Sequence, residues 1–211
     1  MRGLERHERT LAVLLSALAG YVDSLGFLQL GGLFVSFMSG NSTRLAVGIS
    51  HGDWKTVGTA GLILVVFVVG AMLGGLLGRD QGQKARSRIL AVEAILLAAA
   101  AAAALTGHGW ISVSLMVLAM GLENAVFLRE GVVGVGLTYM TGALVKLGHS
   151  LARAVRGEDP MGFLPHLQLW FGLFAGAVLG AFAYRYLGLH ALWLPAAVAA
   201  LLSVVTRVRA A

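Results

Sequence analysis

The chain contains the segment LFVSFMSGNSTRL at residues 33–45 and a related segment, VGLTYMTGALVKL, at residues 135–147. We call these the motif segments. They align at one constant offset, and the matching positions are Met38/Met140, Ser39/Thr141, Gly40/Gly142, Arg44/Lys146 and Leu45/Leu147. The similarity continues on both sides of the motif segments, with GYVD at 20–23 matching GLEN at 121–124 and GAMLG at 70–74 matching GAVLG at 176–180. The sequence therefore predicts two copies of one unit, residues 1–106 and residues 107–211.

The composition is that of an integral membrane protein. Hydrophobic residues make up 58% of the chain and charged residues 12%, whereas soluble domains carry about a quarter charged residues. A helix needs about 20 apolar residues to cross a bilayer. Six stretches meet this need, and they are Leu11 to Leu30, Val57 to Leu77, Ile89 to Leu105, Trp110 to Leu128, Leu164 to Ala183 and Leu189 to Val205. We expect an all-α fold embedded in a lipid bilayer.

Several kinds of site are not expected from this composition. There is no cysteine, so disulfides and thiolate metal sites are excluded. The histidines have no metal-ligand spacing, and we expect neither a metal site nor another cofactor. The net charge of +6 comes from basic residues in short runs beside the apolar stretches. That placement is typical of membrane orientation rather than nucleic-acid binding, and no nucleic-acid partner is expected.

The positions of the basic residues favour six crossings over eight. If both motif segments also crossed the membrane, the loop with Arg79, Lys84, Arg86 and Arg88 would face outward, against the cytoplasmic bias of Lys and Arg. If each motif segment instead enters and leaves on one side, nearly all basic residues lie inside, together with both termini. Three crossings in each copy then make the second copy inverted relative to the first. We predict a 3+3 inverted repeat with two discontinuous, re-entrant motif segments, and eight crossing helices in two four-helix repeats remain the alternative.

Within the motif segments, a short polar stretch predicts a helix that begins inside the membrane. Gly40 relaxes the backbone, and Ser39 or Asn41 can cap a new helix. The amino end of such a helix attracts anions. Arg44 lies in its first turns, where a cation is costly at membrane depth unless something negative is near. The second copy repeats the arrangement with Thr141, Gly142 and Lys146.

Acidic residues in the apparent spans supply one source of that negative charge. Asp23 and Glu123 lie on the first helix of each copy, and Glu93 lies in another span. Asp23 aligns with the neutral Asn124, so the copies differ here. Two interpretations stay open: Asp23 and Glu123 pair with Arg44 and Lys146 to make burial tolerable, or they form a proton-coupled site.

These residues define a candidate binding site for a small solute. We expect Ser39, Gly40, Asn41, Thr141 and Gly142 to supply ligands, with Arg44 and Lys146 as charge partners. Phe37 and Tyr139 are paired by the repeat and either line the path or pack in the core. The coupling candidates are Asp23, Glu123 and Asn124. An internal repeat in so apolar a chain is typical of transporters and channels.

The predicted function is therefore a small-solute transporter, secondary and proton-coupled, for an anionic or zwitterionic substrate. A passive channel of the same plan and a non-transporting assembly or sensory protein are the alternatives. An intramembrane serine protease is not expected, because Phe37 replaces the first glycine of a Gly-x-Ser-Gly motif and Thr141 repeats the hydroxyl. No enzymatic activity is predicted.

Regular glycine spacing predicts close helix packing. Gly70, Gly74 and Gly78 recur every four residues, as do Gly172, Gly176 and Gly180. Such stripes pack either the two copies of one chain or two subunits of a homo-oligomer.

The motifs also resemble those of a known family. The runs GYVDSLGF at 20–27, FMSGNST at 37–43, TYMTG at 138–142 and KLG at 146–148 resemble the YoaK family of bacterial membrane proteins, over nearly the whole chain. The resemblance implies a multi-span protein of the bacterial cytoplasmic membrane, and the family is defined by a domain of unknown function.

Overall fold

The computed structural model is built almost entirely from helices and describes residues 6–80, 82–129, 132–133 and 136–210. Arg2, the side chain of Arg129, and Val135 of the second motif segment lie outside the described part. The helices are α1 (Arg6–Gln29), α2 (Met38–His51), α3 (Trp54–Leu77), α4 (Gln83–Leu105), α5 (Gly109–Glu123), α6 (Met140–Val155), α7 (Leu164–Leu187) and α8 (Trp193–Val208). A 3-10 turn, Gly188–Leu192, precedes α8, and two short strands, Leu128–Arg129 and Val132–Val133, pair between α5 and α6.

The long helices match the predicted apolar stretches. Four helical stretches of the described chain are long and apolar enough to cross a membrane: Arg6–Gln29, Trp54–Leu77, Gln83–Leu105 and the continuous run Leu164–Val208. That run has 45 residues and contains α7, the 3-10 turn and α8. The shorter apolar helix α5 begins at Gly109. The protein is therefore an integral membrane protein of helical class, as its composition predicted.

The glycine stripes pack the first helix of each copy against the third helix of the other. In the second copy, a Cβ atom at Gly176 would collide with the carbonyl oxygen of Ala17, and one at Gly180 with that of Tyr21. In the first copy, Gly70 meets Leu118 in the same way. Only glycine allows the backbones to approach so closely. The predicted packing role of the stripes is confirmed, and these contacts join the two copies of one chain.

The glycine contacts also fix the relative directions of the paired helices. Along α7, Gly172, Gly176 and Gly180 meet successively later residues of α1, namely Val13, Ala17 and Tyr21. The same order holds for α3 against α5, through Gly70, Gly74 and Gly78. Both pairs are therefore parallel.

The apolar core forms two clusters, which identify the two ends of the bundle. One cluster joins the first half of α1, the start of α4, the end of α5 and the start of α7, through residues such as Leu11, Ile89, Leu122 and Leu169. The other joins the second half of α1, the end of α4 and the starts of α3, α5 and α8. We call the end at which α1, α4 and α7 start the basic end, because Arg9, Arg86 and Arg207 lie there.

Polar contacts support this arrangement at the basic end. Arg86 at the start of α4 forms a 2.8 Å ion pair with Glu8 at the start of α1. Ser87 donates to the carbonyl of Ser203 near the end of α8 at 2.9 Å, and Ser203 returns a bond to the carbonyl of Ser87 at 2.8 Å. The start of α4 thus meets the end of α8, while later α4 residues pack against the 3-10 turn before α8. Helices α4 and α8 are antiparallel.

The two motif helices lie outside the central bundle. Helix α2 packs against α3 and α6 against α7. Gly48 of α2 faces Val57 near the start of α3, and Leu45 faces Gly61 further along it, so α2 and α3 are antiparallel. Met38, seven residues before Leu45, is therefore about 10 Å closer to the middle of α3, given 1.5 Å per residue.

Candidate functional site

Asp23 holds the backbone that leads into the first motif helix. The amides of Val35 and Ser36 donate to its Oδ1 atom at 2.8 and 2.7 Å. Asp23 lies six residues before the end of α1 at Gln29. The chain therefore turns back along α1 after that helix ends, before α2 begins. The predicted carboxylate of the GYVD sequence is engaged in positioning the motif segment.

Asn41 closes this loop from the other side. Its Oδ1 atom accepts from the Phe34 amide at 2.9 Å, and its Nδ2 atom donates to the Phe34 carbonyl at 2.7 Å. The side chain is completely buried. Asn41 thus pairs with the backbone of Phe34 as a neighbouring strand would, and both polar ends of its amide are used within the protein.

The prediction that Ser39 or Asn41 caps the helix is wrong. Helix α2 already begins at Met38, and Phe37 occupies the N-cap position without a side-chain hydrogen bond. The half-buried Phe37 ring packs edge-to-face against Phe34, with centroids 5.2 Å apart. This contact and the hydrogen bonds of Asn41 to Phe34 hold the helix start instead. The start of α2 is therefore held by packing and not by a local side-chain cap.

The second copy uses equivalent positions with weaker polar contacts. Asn124, which aligns with Asp23, accepts from the Thr138 hydroxyl at 3.2 Å and donates to the Met120 carbonyl at 2.9 Å. The neighbouring Leu137 carbonyl accepts a 3.3 Å bond from Ser16 of α1. Position 143, which aligns with Asn41, is a buried alanine. Both motif segments therefore begin beside polar side chains of the central bundle.

The remaining motif residues lie at the protein surface. Ser39, Arg44, Thr141, Gly142 and Lys146 are exposed. Gly40 is half-buried, and Phe37 packs over it. Tyr139 is 63% exposed, whereas its counterpart Phe37 is half-buried. The two motif helices contact different partners, and the structure brings neither set of candidate ligands into contact with the other.

The ion pairs considered between motif helices and acidic residues do not form. Asp23 binds loop amides, and Arg44 extends over Gly32 at the surface. Glu123 is completely buried, whereas Lys146 is exposed. Among the described residues, neither Asp23 with Arg44 nor Glu123 with Lys146 makes a salt bridge. That part of the sequence interpretation is wrong, because the Asp23 carboxylate is held by loop amides and Glu123 is buried in the bundle, whereas both bases are exposed.

The most unusual feature of the interior is a pair of carboxyl groups. Glu93 of α4 and Glu123 at the end of α5 are both 0% exposed. All four of their oxygen atoms lack a hydrogen-bond partner among the described residues. The two groups are close enough to interact electrostatically with each other. Burial of an ionisable group in a membrane bundle is costly and typical of functional sites.

Sequence reasoning identified Glu123 but did not select Glu93. The available signal was a single carboxylate in the middle of an otherwise apolar span, Ile89 to Leu105. Its partner could not be recognised from sequence, because Glu123 lies thirty residues away and reaches Glu93 only when α4 packs against α5.

Comparisons with known proteins agree with the motifs. Residues 11–205 match a family model described as Protein of unknown function (DUF1275). The chain is 37% identical over 194 residues to UPF0700 transmembrane protein RA0705 of Rhizobium meliloti (strain 1021), covering 92% of this chain and 83% of that protein. It is 31% identical over 150 residues to UPF0700 transmembrane protein YoaK of Bacillus subtilis (strain 168), covering 67% and 66%. No solved structure matches the chain.

These matches confirm the resemblance that the motif segments indicated. The protein is a multi-pass membrane protein that belongs to the DUF1275 family, together with YoaK.

Proposed function

We propose that this protein is a proton-coupled secondary transporter of small anionic or zwitterionic solutes. The observation that carries the proposal is the buried pair Glu93 and Glu123, which has no hydrogen-bond partner among the described residues. Charging both of two neighbouring carboxyl groups in a medium of low dielectric constant costs free energy, because the two negative charges repel. Binding one proton removes this repulsion, and releasing the proton restores the repulsion. Such a pair is suited to coupling proton movement to a change in conformation.

Helix directions support an inverted repeat for this transporter. The cores at the two ends bring the start of α1 together with the end of α5, its counterpart in the other copy. The last helices of the copies, α4 and α8, are antiparallel through Ser87 and Ser203. Opposite directions for equivalent helices are what two copies with three crossings each require.

The contacts of the motif segments support re-entrant paths from opposite sides. The first segment meets α1 at Asp23, and the second meets it at Ser16. Those residues are separated by two turns of helix, about 10 Å along the axis. Irregular backbone at membrane depth is tolerated where protein or a water-filled cavity surrounds it. In the proposed mechanism, the solute passes between the two segment starts as one copy moves against the other.

The candidate ligands take roles that follow from their exposure. Ser39, Gly40, Thr141 and Gly142 present hydroxyl and backbone groups at the two helix starts, and Arg44 and Lys146 attract anionic solutes to the two openings. Asn41, Asp23 and Asn124 position the segments. Glu123 adjoins Asn124 in the chain, so a proton at the carboxyl pair can influence the second segment. No enzymatic step is part of the proposal.

The orientation in the membrane follows from the charges. Arg9, Lys84, Arg86, Arg153 and Arg207 belong to the basic end, whereas Lys55 and Arg185 lie at the opposite end. Because basic residues favour the cytoplasmic side, we expect the basic end and both termini on the cytoplasmic side of the bacterial inner membrane.

The test measures solute-driven proton movement. Purified protein is reconstituted into liposomes that contain a pH-sensitive dye, and small carboxylates, phosphate, amino acids and nucleobases are added outside in turn. At least one solute should accumulate against its gradient when a proton gradient is imposed, and its entry should acidify the lumen. Glu93→Gln and Glu123→Gln should abolish coupling, while the exposed control Asp80→Asn should retain it.

Two results would contradict the proposal. Equal flux with and without the proton gradient would indicate a passive channel. The absence of flux for every solute in the panel would favour the non-transporting alternative.

A further inference from the structure

A groove at the basic end is lined by several cations. It lies between the start of α1, helix α6 and the start of α7, and has a volume of about 500 Å³. Its charged and polar lining groups are Arg9, Lys146, Ser150, Arg153, Asp159 and His166. We call this cavity the basic groove. Only Lys146 belongs to the candidate solute site described above.

The repeat supplies an internal comparison for this groove. The equivalent cavity of the first copy, between α2 and α3, has a similar volume of about 490 Å³. Its lining includes Arg44 and His51, which align with Lys146 and Arg153 at the constant offset of the motif segments. The position that aligns with Arg9 is Trp110. The two cavities therefore have similar volumes, and the basic groove has arginines where the aligned positions are His51 and Trp110.

Charge in the basic groove is only partly balanced. Arg153 donates to Glu158 at 3.2 Å, and Asp159 adds one carboxylate to the lining. The Nε atom of Arg9 is buried and has no hydrogen-bond partner among the described residues. A buried guanidinium N–H without a hydrogen-bond acceptor costs free energy, and a ligand that accepts a hydrogen bond from it removes that cost.

We propose that the basic groove binds a phosphate group. Arginine presents a planar fork of donors that suits phosphate oxygens, and lysine adds a point charge. A phosphate has enough oxygen atoms to accept from Arg9, Lys146 and Ser150 together. The group comes either from free phosphate or from the headgroup of an anionic phospholipid on the same membrane face.

Two ligand series test the groove on the full-length protein in detergent. Thermal midpoints are measured against sodium phosphate, with sodium chloride at equal ionic strength, and against short-chain phosphatidylglycerol, with phosphatidylcholine as its neutral counterpart. Wild type should show a saturable rise with phosphate, with phosphatidylglycerol or with both. A response to phosphate alone identifies the free anion as the source, and a response to phosphatidylglycerol alone identifies the lipid.

Matched variants assign any binding to the basic groove. Arg9→Gln and Lys146→Gln should each weaken the saturable response at least tenfold. Lys146→Arg should retain it, which separates lost charge from misfolding, and Lys55→Gln, an exposed base at the opposite end, should leave it unchanged. The proposal is overturned if neither ligand gives a saturable shift, or if Lys55→Gln weakens binding as much as Lys146→Gln does. Because Arg9 is not part of the candidate solute site, the result for Arg9→Gln separates the basic groove from that site.

Discussion

At the scale of single residues, the positions that looked like ligands divide into two groups. The polar side-chain atoms of Asp23 and Asn41 form hydrogen bonds with nearby backbone. Asp23 accepts from the amides of Val35 and Ser36, and Asn41 pairs with the backbone of Phe34. Arg44 and Lys146 remain exposed. Polar residues in one short motif therefore serve both to shape the segment and to face its surroundings, and only the second group remains free to meet a solute.

Asp23 should be important for stability rather than only for transport. Asp23→Ala leaves the buried amides of Val35 and Ser36 without an acceptor, at a cost of about 1–3 kcal/mol for each. Asp23→Asn keeps one oxygen, as Asn124 does in the second copy, and should lower the thermal midpoint less. Thermal unfolding in detergent, followed by circular dichroism, measures both. Equal midpoints for wild type and Asp23→Ala would contradict the positioning role.

Asp53 predicts a pH dependence at the start of α3. The Thr56 hydroxyl and amide donate to its carboxylate and hold its pKa below the ordinary value of 3.8. Because the folded-state pKa is lowered, the stabilisation is present above about pH 3.8 and is lost as the pH falls through the lower folded value.

The midpoint difference between wild type and Asp53→Ala should therefore be constant near neutrality and shrink in acid below that value. Parallel thermal scans at several pH values measure it. Thr56→Val, which removes the hydroxyl donor, should reproduce part of the loss. A difference that is unchanged in acid would contradict this role of the carboxylate.

At the scale of elements, glycine permits the closest contacts of the fold. Gly20 of α1 and Gly121 of α5 are aligned by the repeat, and a Cβ atom at either would collide with a carbonyl oxygen, of Leu173 and Phe67 respectively. The glycines of the partner helices form the other half of each contact. Both copies thus contribute small residues from both sides, and the pairs α1 with α7 and α3 with α5 are built alike.

Substitutions at these glycines should distinguish the effect of close helix contact on stability from the effect of helix propensity. Gly70→Ala and Gly176→Ala push a methyl group against a carbonyl oxygen, and overpacking of this kind costs about 1–3 kcal/mol. Gly75→Ala is the matched control, since nothing lies within 4 Å of a Cβ atom there. It should be neutral or stabilising, because alanine is favoured in helices by about 1 kcal/mol. Thermal midpoints that fall equally in all three variants would refute the packing role.

Much of the position and packing of the helices was predictable from sequence. Span positions follow from apolar length, and α3 ends at Leu77 as the apolar stretch does. The packing of Gly70 and Gly176 follows from the four-residue spacing of the glycines within each stripe. The start of α2 did not follow, because Phe37 is held by packing with Phe34 rather than by a local cap. The two short strands after α5 were not predicted either.

At the scale of the whole molecule, the two copies interlock. Each copy supplies a first helix to the third helix of the other, so neither copy has a complete core alone. Charge counting predicts six crossings and an inverted repeat, and both stay predictions. The Glu93 and Glu123 pair was beyond sequence reasoning, because it depends on how α4 packs against α5.

The central claim is that the two copies have opposite orientations, with six crossings, and the absence of native cysteine makes it directly testable. Single cysteines replace Arg6, Lys55, Lys84 and His108 in turn, and a membrane-impermeant maleimide is applied to intact cells and to opened membranes. Positions 55 and 108 should react in intact cells, while positions 6 and 84 should react only after opening. Labelling of position 84 from outside, with positions 6, 55 and 108 protected, would indicate eight crossings and contradict the inverted repeat.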